Sequence, residues 1–189
     1  MHDVPYFDRF APLYDLAMPA ADPADLDPAL ALADRAVERV LDLGGGTGRV
    51  ARALGGRAVV ADASRGMLAE ARDDGLATVQ TDVRRLAVAD ESVDAAVVVD
   101  AFHHFPARST AIAEAARALR PGGVLVVRDF DPSTLRGRLL VAGEHLIGMG
   151  SRFDTADECA DRLSEAGLDA RIGDEGFAFT VAGVKPGEP

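Results

Sequence analysis

From residue 39 onward the chain alternates short apolar runs with stretches whose apolar positions recur at helical spacing. The runs fall at 39–43, 58–61, 77–80, 95–99 and 124–128. Such short, nearly unbroken apolar segments are the pattern of parallel strands covered on both faces. Between them, 48–54, 64–73 and 109–119 carry apolar residues on one helical face, with Ser64 and Ser109 as expected N-caps. The alternation predicts an α/β fold, a Rossmann-like doubly wound sheet with helices on both faces.

Past the fifth run, 133–149 reads as an amphipathic helical insert. Thr155-Ala156-Asp157-Glu158 is a capping box opening a helix that stops at Gly167, and two further strands follow near 168–172 and 177–184. The first 38 residues differ in character: Pro5, Pro12, Pro19, Pro23 and Pro28 punctuate short helical pieces, and Asp27 is expected to cap a helix with Pro28 at its first position. This segment reads as a lid, 1–38, on a core, 39–189, within one domain. Residues 185–189 read as a frayed tail.

Composition narrows the partners. With 189 residues and 48% hydrophobic content the chain can build one core. No window approaches the roughly 18 to 20 apolar residues that cross a bilayer, and the start, Met1-His2-Asp3-Val4-Pro5, lacks a leader pattern. A cytoplasmic protein without integral membrane association is expected, as a monomer or homodimer. Cys159 is the only cysteine, which excludes an intrachain disulfide and a cysteine-based metal cluster. A net charge of −11 disfavours a nucleic-acid partner. Lys185 is the only lysine among many arginines and aspartate outnumbers glutamate, as on a salt-adapted, halophilic surface.

The sharpest local signal is Val40-Leu41-Asp42-Leu43-Gly44-Gly45-Gly46-Thr47-Gly48-Arg49-Val50, a buried strand running into a glycine-rich turn and then a helix. Glycines there permit positive φ and let backbone amides approach a ligand, while the helix N-terminus favours a carboxylate or phosphate. Gly46-Thr47-Gly48-Arg49-Val50-Ala51 also satisfies the G-x-G-x-x-G/A dinucleotide pattern, so an NAD(P)-dependent oxidoreductase stays open. The compact register Gly44-x-Gly46-x-Gly48 favours a ligand without a pyrophosphate. Asp62 follows at the end of the second strand, where a carboxylate accepts hydrogen bonds from ribose hydroxyls in either ligand family.

Taken with Asp62-Ala63-Ser64-Arg65-Gly66-Met67-Leu68, Thr81-Asp82-Val83, the segment 93–105 and Leu119-Arg120-Pro121-Gly122-Gly123-Val124-Leu125, the loop resembles the class I S-adenosylmethionine-dependent methyltransferases. The similarity is to their small-molecule branch, with its UbiE-like quinone methyltransferases and type 11 domain, and spans roughly 40–127. It implies seven strands in order 3-2-1-4-5-7-6 with the last antiparallel. It implies S-adenosylmethionine as cofactor, S-adenosylhomocysteine as product, and a small-molecule methyl acceptor as partner. Asp42, Gly44, Gly45, Gly46 and Gly48 would lie along the methionine part, Asp62 on the ribose, and Ala63 and Met67 on the adenine. The Asp82 side chain and the Val83 amide would meet the adenine edge, and Asp100 the cofactor or the acceptor. The segment from Tyr6 to Asp15 is similar to one that covers the cofactor in that branch, with Tyr14 reaching the site.

Methyl transfer is an in-line displacement whose chemistry requires alignment in a dry site and no metal. For a hydroxyl or acidic-carbon acceptor a base helps, and His103 and His104, just past the fourth strand, are the candidates. Asp129 and Asp131 are either site carboxylates or turn carboxylates. Phe7 and Phe10 are expected in the core as readily as at the site. Met149, Phe153 and the insert 139–147 would suit an apolar acceptor. An S-adenosylmethionine-binding module without catalysis is the remaining alternative.

Overall fold

The structure, a computed structural model, describes residues 4–17, 21–146 and 148–187. Seven strands form one sheet: β1 (Val40–Leu43), β2 (Ala58–Asp62), β3 (Thr78–Gln80), β4 (Val93–Val99), β5 (Leu119–Phe130), β6 (Asp169–Ile172) and β7 (Ala178–Val184). Their order is β3-β2-β1-β4-β5-β7-β6, with β7 antiparallel to both neighbours. Seven helices surround it: α1 (Val4–Ala17), α2 (Asp27–Leu30), α3 (Arg49–Ala53), α4 (Arg65–Asp73), α5 (Arg108–Ala118), α6 (Leu135–Leu146) and α7 (Ala156–Glu165).

The two sheet faces explain the unbroken apolar runs. Successive strand residues point to opposite sides, so Leu41, Ala96 and Leu125 join Ile112 of α5 and Cys159 and Leu163 of α7 in one core. Val40, Ala95 and Val124 join Val50 of α3, Leu68 of α4 and Leu26 in the other. Both faces must then be apolar, as the sequence pattern anticipates. Cys159 is fully buried, and burial pushes its thiol pKa up, consistent with a packing residue.

Several local expectations are corrected. Ser109 does not cap α5: the N-cap is Ala107, without a side-chain bond, and Ser109 instead accepts from Arg162 at 2.9 Å. Asp27 does not cap α2, which follows Leu26; the capping carboxylate is Asp22, which accepts from the Ala24 amide at 2.9 Å ahead of a 3-10 turn, Pro23–Asp25. Strand β5 outruns its apolar segment because the ladder with β7 continues to the Phe130–Ala178 pair. Lys185 is tied in, donating its amide to the Gly123 carbonyl at 2.8 Å. Of the expected tail, residues 188 and 189 lie outside the described residues, as do Pro19 and Ile147.

Pro12 does not break α1, which runs through it as one helix. A proline lacks the N–H that would bond the carbonyl four residues earlier, here that of Asp8. That carbonyl lies against Gly66, where a Cβ would sit 2.7 Å from it. The missing side chain of Gly66 is what lets α1 seat on α4. Phe10 is not in the core: it is 40% exposed and packs on Tyr6.

The capping box of α7 forms as expected, Glu158 accepting from the Thr155 amide at 2.9 Å and Thr155 Oγ1 from the Glu158 amide at 3.3 Å. Thr155→Ala is expected to lower stability by about 1 kcal/mol, roughly 2–4 °C in thermal unfolding for a chain of this size. An unchanged melting temperature would mean that the cap contributes nothing.

Candidate active site

The site grows from the carboxyl end of β1. Gly44, Gly46 and Gly48 all take positive φ, at 70°, 56° and 88°, the region where a Cβ is strained. The turn is pinned from the next strand. One oxygen of the Asp62 carboxylate accepts from the Gly46 amide at 3.0 Å and the other from the Ser64 amide at 2.8 Å. Ser64 in turn caps α4 by accepting from the Met67 amide at 3.1 Å. Burial raises the Asp62 pKa, opposed by these backbone hydrogen bonds.

A narrow cleft of about 90 Å³ lies above this turn. Gly44, Gly46, Asp62, Ala63, Met67 and Val83 line its wall together with Tyr14, Asp100 and His104. A Cβ on Gly46 would meet no atom closer than Met67 Sδ at 3.8 Å, so a side chain there would project into open space at the cleft wall. A carboxylate at the strand end, bare backbone between, and apolar side chains beside it fit a nucleoside carrying a small polar tail.

Four of the expected cofactor residues are not on this wall. Asp42 lies beneath the turn, 1% exposed, so close to Gly45 that a Cβ there would stand 2.4 Å from its Oδ2. Burial, reinforced by the neighbouring Asp62 charge, pushes the Asp42 carboxyl up to about 7. Gly48 faces the core, where a Cβ would lie 2.2 Å from Leu76 Cδ1, and its φ of 88° strains any other residue. Asp82 is turned onto Arg84, with oxygens 2.6 Å from Nη2 and 3.0 Å from Nε, which hold its carboxyl below the usual range.

Helix α1 closes the cleft from above, contributing Val4, Phe7 and Tyr14. Two carboxylates fasten it. Asp8 accepts from Ser64 Oγ at 2.6 Å and the Gly66 amide at 2.8 Å, at the start of α4. Asp15 accepts from Thr47 Oγ1 and from Arg52 at 2.5 Å, at the start of α3.

A wider cavity of about 600 Å³ adjoins the cleft. Phe7, Tyr14, Asp100 and His104 border both. The wider space is walled by Phe130, Leu140, Met149 and Phe177, with Arg49, Arg128, His103 and Glu144 among them. Asp100, at φ 53°, is one of two described non-glycine residues with positive φ, and its carboxylate accepts from Arg49 at 3.1 Å. Burial raises its pKa, opposed by Arg49. Such strain at a strand end between two cavities is characteristic of working sites.

The two histidines sit on a 3-10 turn, Phe102–His104, and diverge. His103 is 3% exposed, with Nδ1 2.6 Å from Asp129 Oδ1, its amide donating to Asp129 Oδ2 at 2.8 Å, and Nε2 3.5 Å from Glu144. Burial opposes its charge, but Asp129 and Glu144 outweigh that and raise its pKa to about 9. At neutral pH these two carboxylates favour the protonated ring, so His103 offers a lone pair only where another cation takes the place of that proton. Its ring stacks on Phe153, centroids 4.4 Å apart. His104 has Nδ1 3.2 Å from Ser151 Oγ and faces Phe7 edge-on at 5.0 Å. Asp129 is thus a buried partner of His103, whereas Asp131 is a turn carboxylate accepting from the Ser133 amide at 2.7 Å.

Of the expected acceptor-side residues, Met149 lines the wider cavity, while Leu139 points away at 67% exposure. Sequence reasoning missed Glu144 and Arg49 as site residues. Arg49 sits inside the glycine motif and was legible in principle; Glu144, 40 positions past His104 in a helix without a motif, was not.

Comparison with known sequences and folds agrees with this geometry. Residues 41–127 match the family described as a methyltransferase domain. Over residues 41–127 this chain is a methyltransferase domain. Its family uses S-adenosylmethionine as cofactor, which is what the cleft's carboxylate and bare backbone fit. The methyltransferase GfsG of Streptomyces halstedii is 29% identical over 178 residues, covering 78% of this chain and 63% of its own. The ubiquinone/menaquinone biosynthesis C-methyltransferase UbiE of Paracoccus denitrificans is 38% identical over 112 residues, covering 52% of this chain and 45% of its own. The chain thus spans about half to three fifths of the length of these curated relatives. In fold, it superposes on an S-adenosylmethionine-dependent methyltransferase from Thermotoga maritima with a TM-score of 0.79 at 22% identity, covering 97% of this chain and 100% of the other. No helix among the described residues of the domain is long and apolar enough to cross a membrane.

The buried Asp42 yields a signed pH prediction. Its folded pKa, about 7, lies above the ordinary unfolded value of about 3.9, so the folded state binds this proton more tightly. Relative to Asp42→Asn, the wild type should lose stability as pH rises from about 4 to 7 and level off above, by at most about 4 kcal/mol. Denaturant midpoints across that range check it, and parallel curves for the two proteins would refute it.

Proposed function

We propose that the chain transfers a methyl group from S-adenosylmethionine to the oxygen or an acidic carbon of a small, largely apolar acceptor held in the wider cavity. The observation carrying this reading is the shared wall: the narrow cleft above the glycine turn and Asp62 adjoins a wider cavity across Tyr14, Asp100 and His104. When bound, S-adenosylmethionine supplies an electrophilic methyl carbon, and S-adenosylhomocysteine is left after the acceptor's electron pair takes it.

The chain's own residues then have separable tasks. Asp62 holds the ribose, and the bare backbone of the glycine turn at Gly44 and Gly46 leaves room for the polar tail. Phe7 and Tyr14 of α1 exclude water, making the segment before the core a lid fastened by Asp8 and Asp15. His104, the histidine on the shared wall, orients the acceptor's reacting atom in line with the donor, while His103, held by Asp129, fixes the turn that presents it.

Calorimetric titration with S-adenosylmethionine and with NADH, in low and molar salt, tests the reading. S-adenosylmethionine is expected to bind and NADH not, with Asp62→Ala weakening binding roughly 10- to 100-fold, the worth of one or two charge-assisted hydrogen bonds. Preference for NADH, or binding indifferent to Asp62, would overturn it. In an acceptor screen, His104→Ala should lose roughly 100-fold in turnover from misalignment alone while keeping its donor affinity.

A further inference from the structure

Where the cleft meets the wider cavity, the described residues hold a cluster of ligand-capable side chains in which the positioning roles proposed above give Glu144 no part. His103, His104 and Glu144 each direct a nitrogen or carboxylate oxygen to a common point, all within 4.8 Å of one another, at the wall of the wider cavity. We propose that this triad is a binding site for a divalent transition-metal ion of the zinc, cobalt or iron class, with its open coordination positions facing the acceptor cavity.

Three independent features carry the proposal. First, the donor set is two imidazoles and a carboxylate, the combination that suits these ions and leaves positions for an exogenous ligand. Bonds of about 2.1 Å place ligand atoms about 3 to 4 Å apart, so small side-chain rotations complete the site. Second, both imidazoles already have outer partners on Nδ1: Asp129 at 2.6 Å for His103 and Ser151 Oγ at 3.2 Å for His104. Metal-ligating histidines are oriented in this way, by a carboxylate or another oxygen on the second nitrogen. Third, Glu144 Oε2 is buried without a hydrogen-bond partner. A buried carboxylate oxygen left without a partner is unfavourable, and an ion at the triad's centre would supply that partner. Asp129 and Glu144 flank the His103 ring from two sides and favour positive charge there, which the ion would supply in place of the ring's second proton, released to solvent on binding.

Glu144 comes from α6 and the histidines from the turn after β4, so tertiary structure alone assembles the triad. Ser151 and Phe153, which hold the histidines, belong to the segment following α6. The ion site rests on these side chains alone. Its consequence for the acceptor rests on the function proposed above: an acceptor hydroxyl or enolate oxygen on the open positions would be polarised by the ion, work the sequence had assigned to a histidine base.

The test uses the full chain stripped with a chelator and titrated with Co²⁺, read by visible d–d absorption, then displaced by Zn²⁺. One ion per chain is expected, with a thermal shift on binding. Glu144→Gln and His104→Ala should abolish the spectrum. Asp129→Asn should weaken binding roughly 10- to 100-fold, as loss of an outer partner does. Unfolding transitions of the unloaded variants report whether each still folds, and S-adenosylmethionine affinity reports the donor site separately, so failure of the two readings can be told apart. Absence of saturable Co²⁺ binding by the wild type, or a spectrum unchanged in folded Glu144→Gln, would overturn the proposal.

Discussion

Burying the Asp62 carboxylate at the end of β2 costs free energy, and the two backbone amides that offset the cost tie the donor site together. One amide belongs to Gly46 and fixes the glycine turn; the other belongs to Ser64 and starts α4. The same Ser64 and its neighbour Gly66 receive Asp8 of α1, so the covering helix is registered against the same carboxylate one bond further out. A second consequence reaches beneath the turn. Buried and with Asp62 nearby, Asp42 is pushed towards its neutral form and packs under Gly45.

The acceptor side is organised by a different constraint. Strand β4 ends in a left-handed residue, Asp100, and the turn that follows separates two adjacent histidines into different environments. His103 is drawn inward by Asp129 from the end of β5, and His104 is left on the wall between the cavities. The strand order makes this possible, since β4 and β5 are neighbours and their carboxyl ends lie side by side. Ligand sites in such sheets form at these ends for the same reason.

The fold was legible because both faces of β1, β4 and β5 are covered, which forces unbroken apolar runs, and because the glycine turn and Asp62 sit at fixed offsets in sequence. The capping box at Thr155 was readable for the same local reason. What local pattern could not supply was any contact made across the fold. Ser109 looked like a cap, yet its partner is Arg162; Asp82 looked like a ligand contact, yet Arg84 holds it. Pro12 looked like a break, yet the carbonyl it frees fits over Gly66, a glycine whose role appears only once α1 is seated. Glu144 carries no sequence signal at all, because its significance lies in which turn α6 is packed against.

The central claim is that one wall, formed by Tyr14, Asp100 and His104, separates a donor cleft from an acceptor cavity. A crystal structure of the chain with S-adenosylhomocysteine tests it most directly. The account predicts the ribose on Asp62, the adenine among Ala63, Met67 and Val83, and the sulfur directed at Asp100 and His104, with the wider cavity left accessible. A ligand seated in the wider cavity, or one that reaches neither Asp62 nor His104, would contradict it.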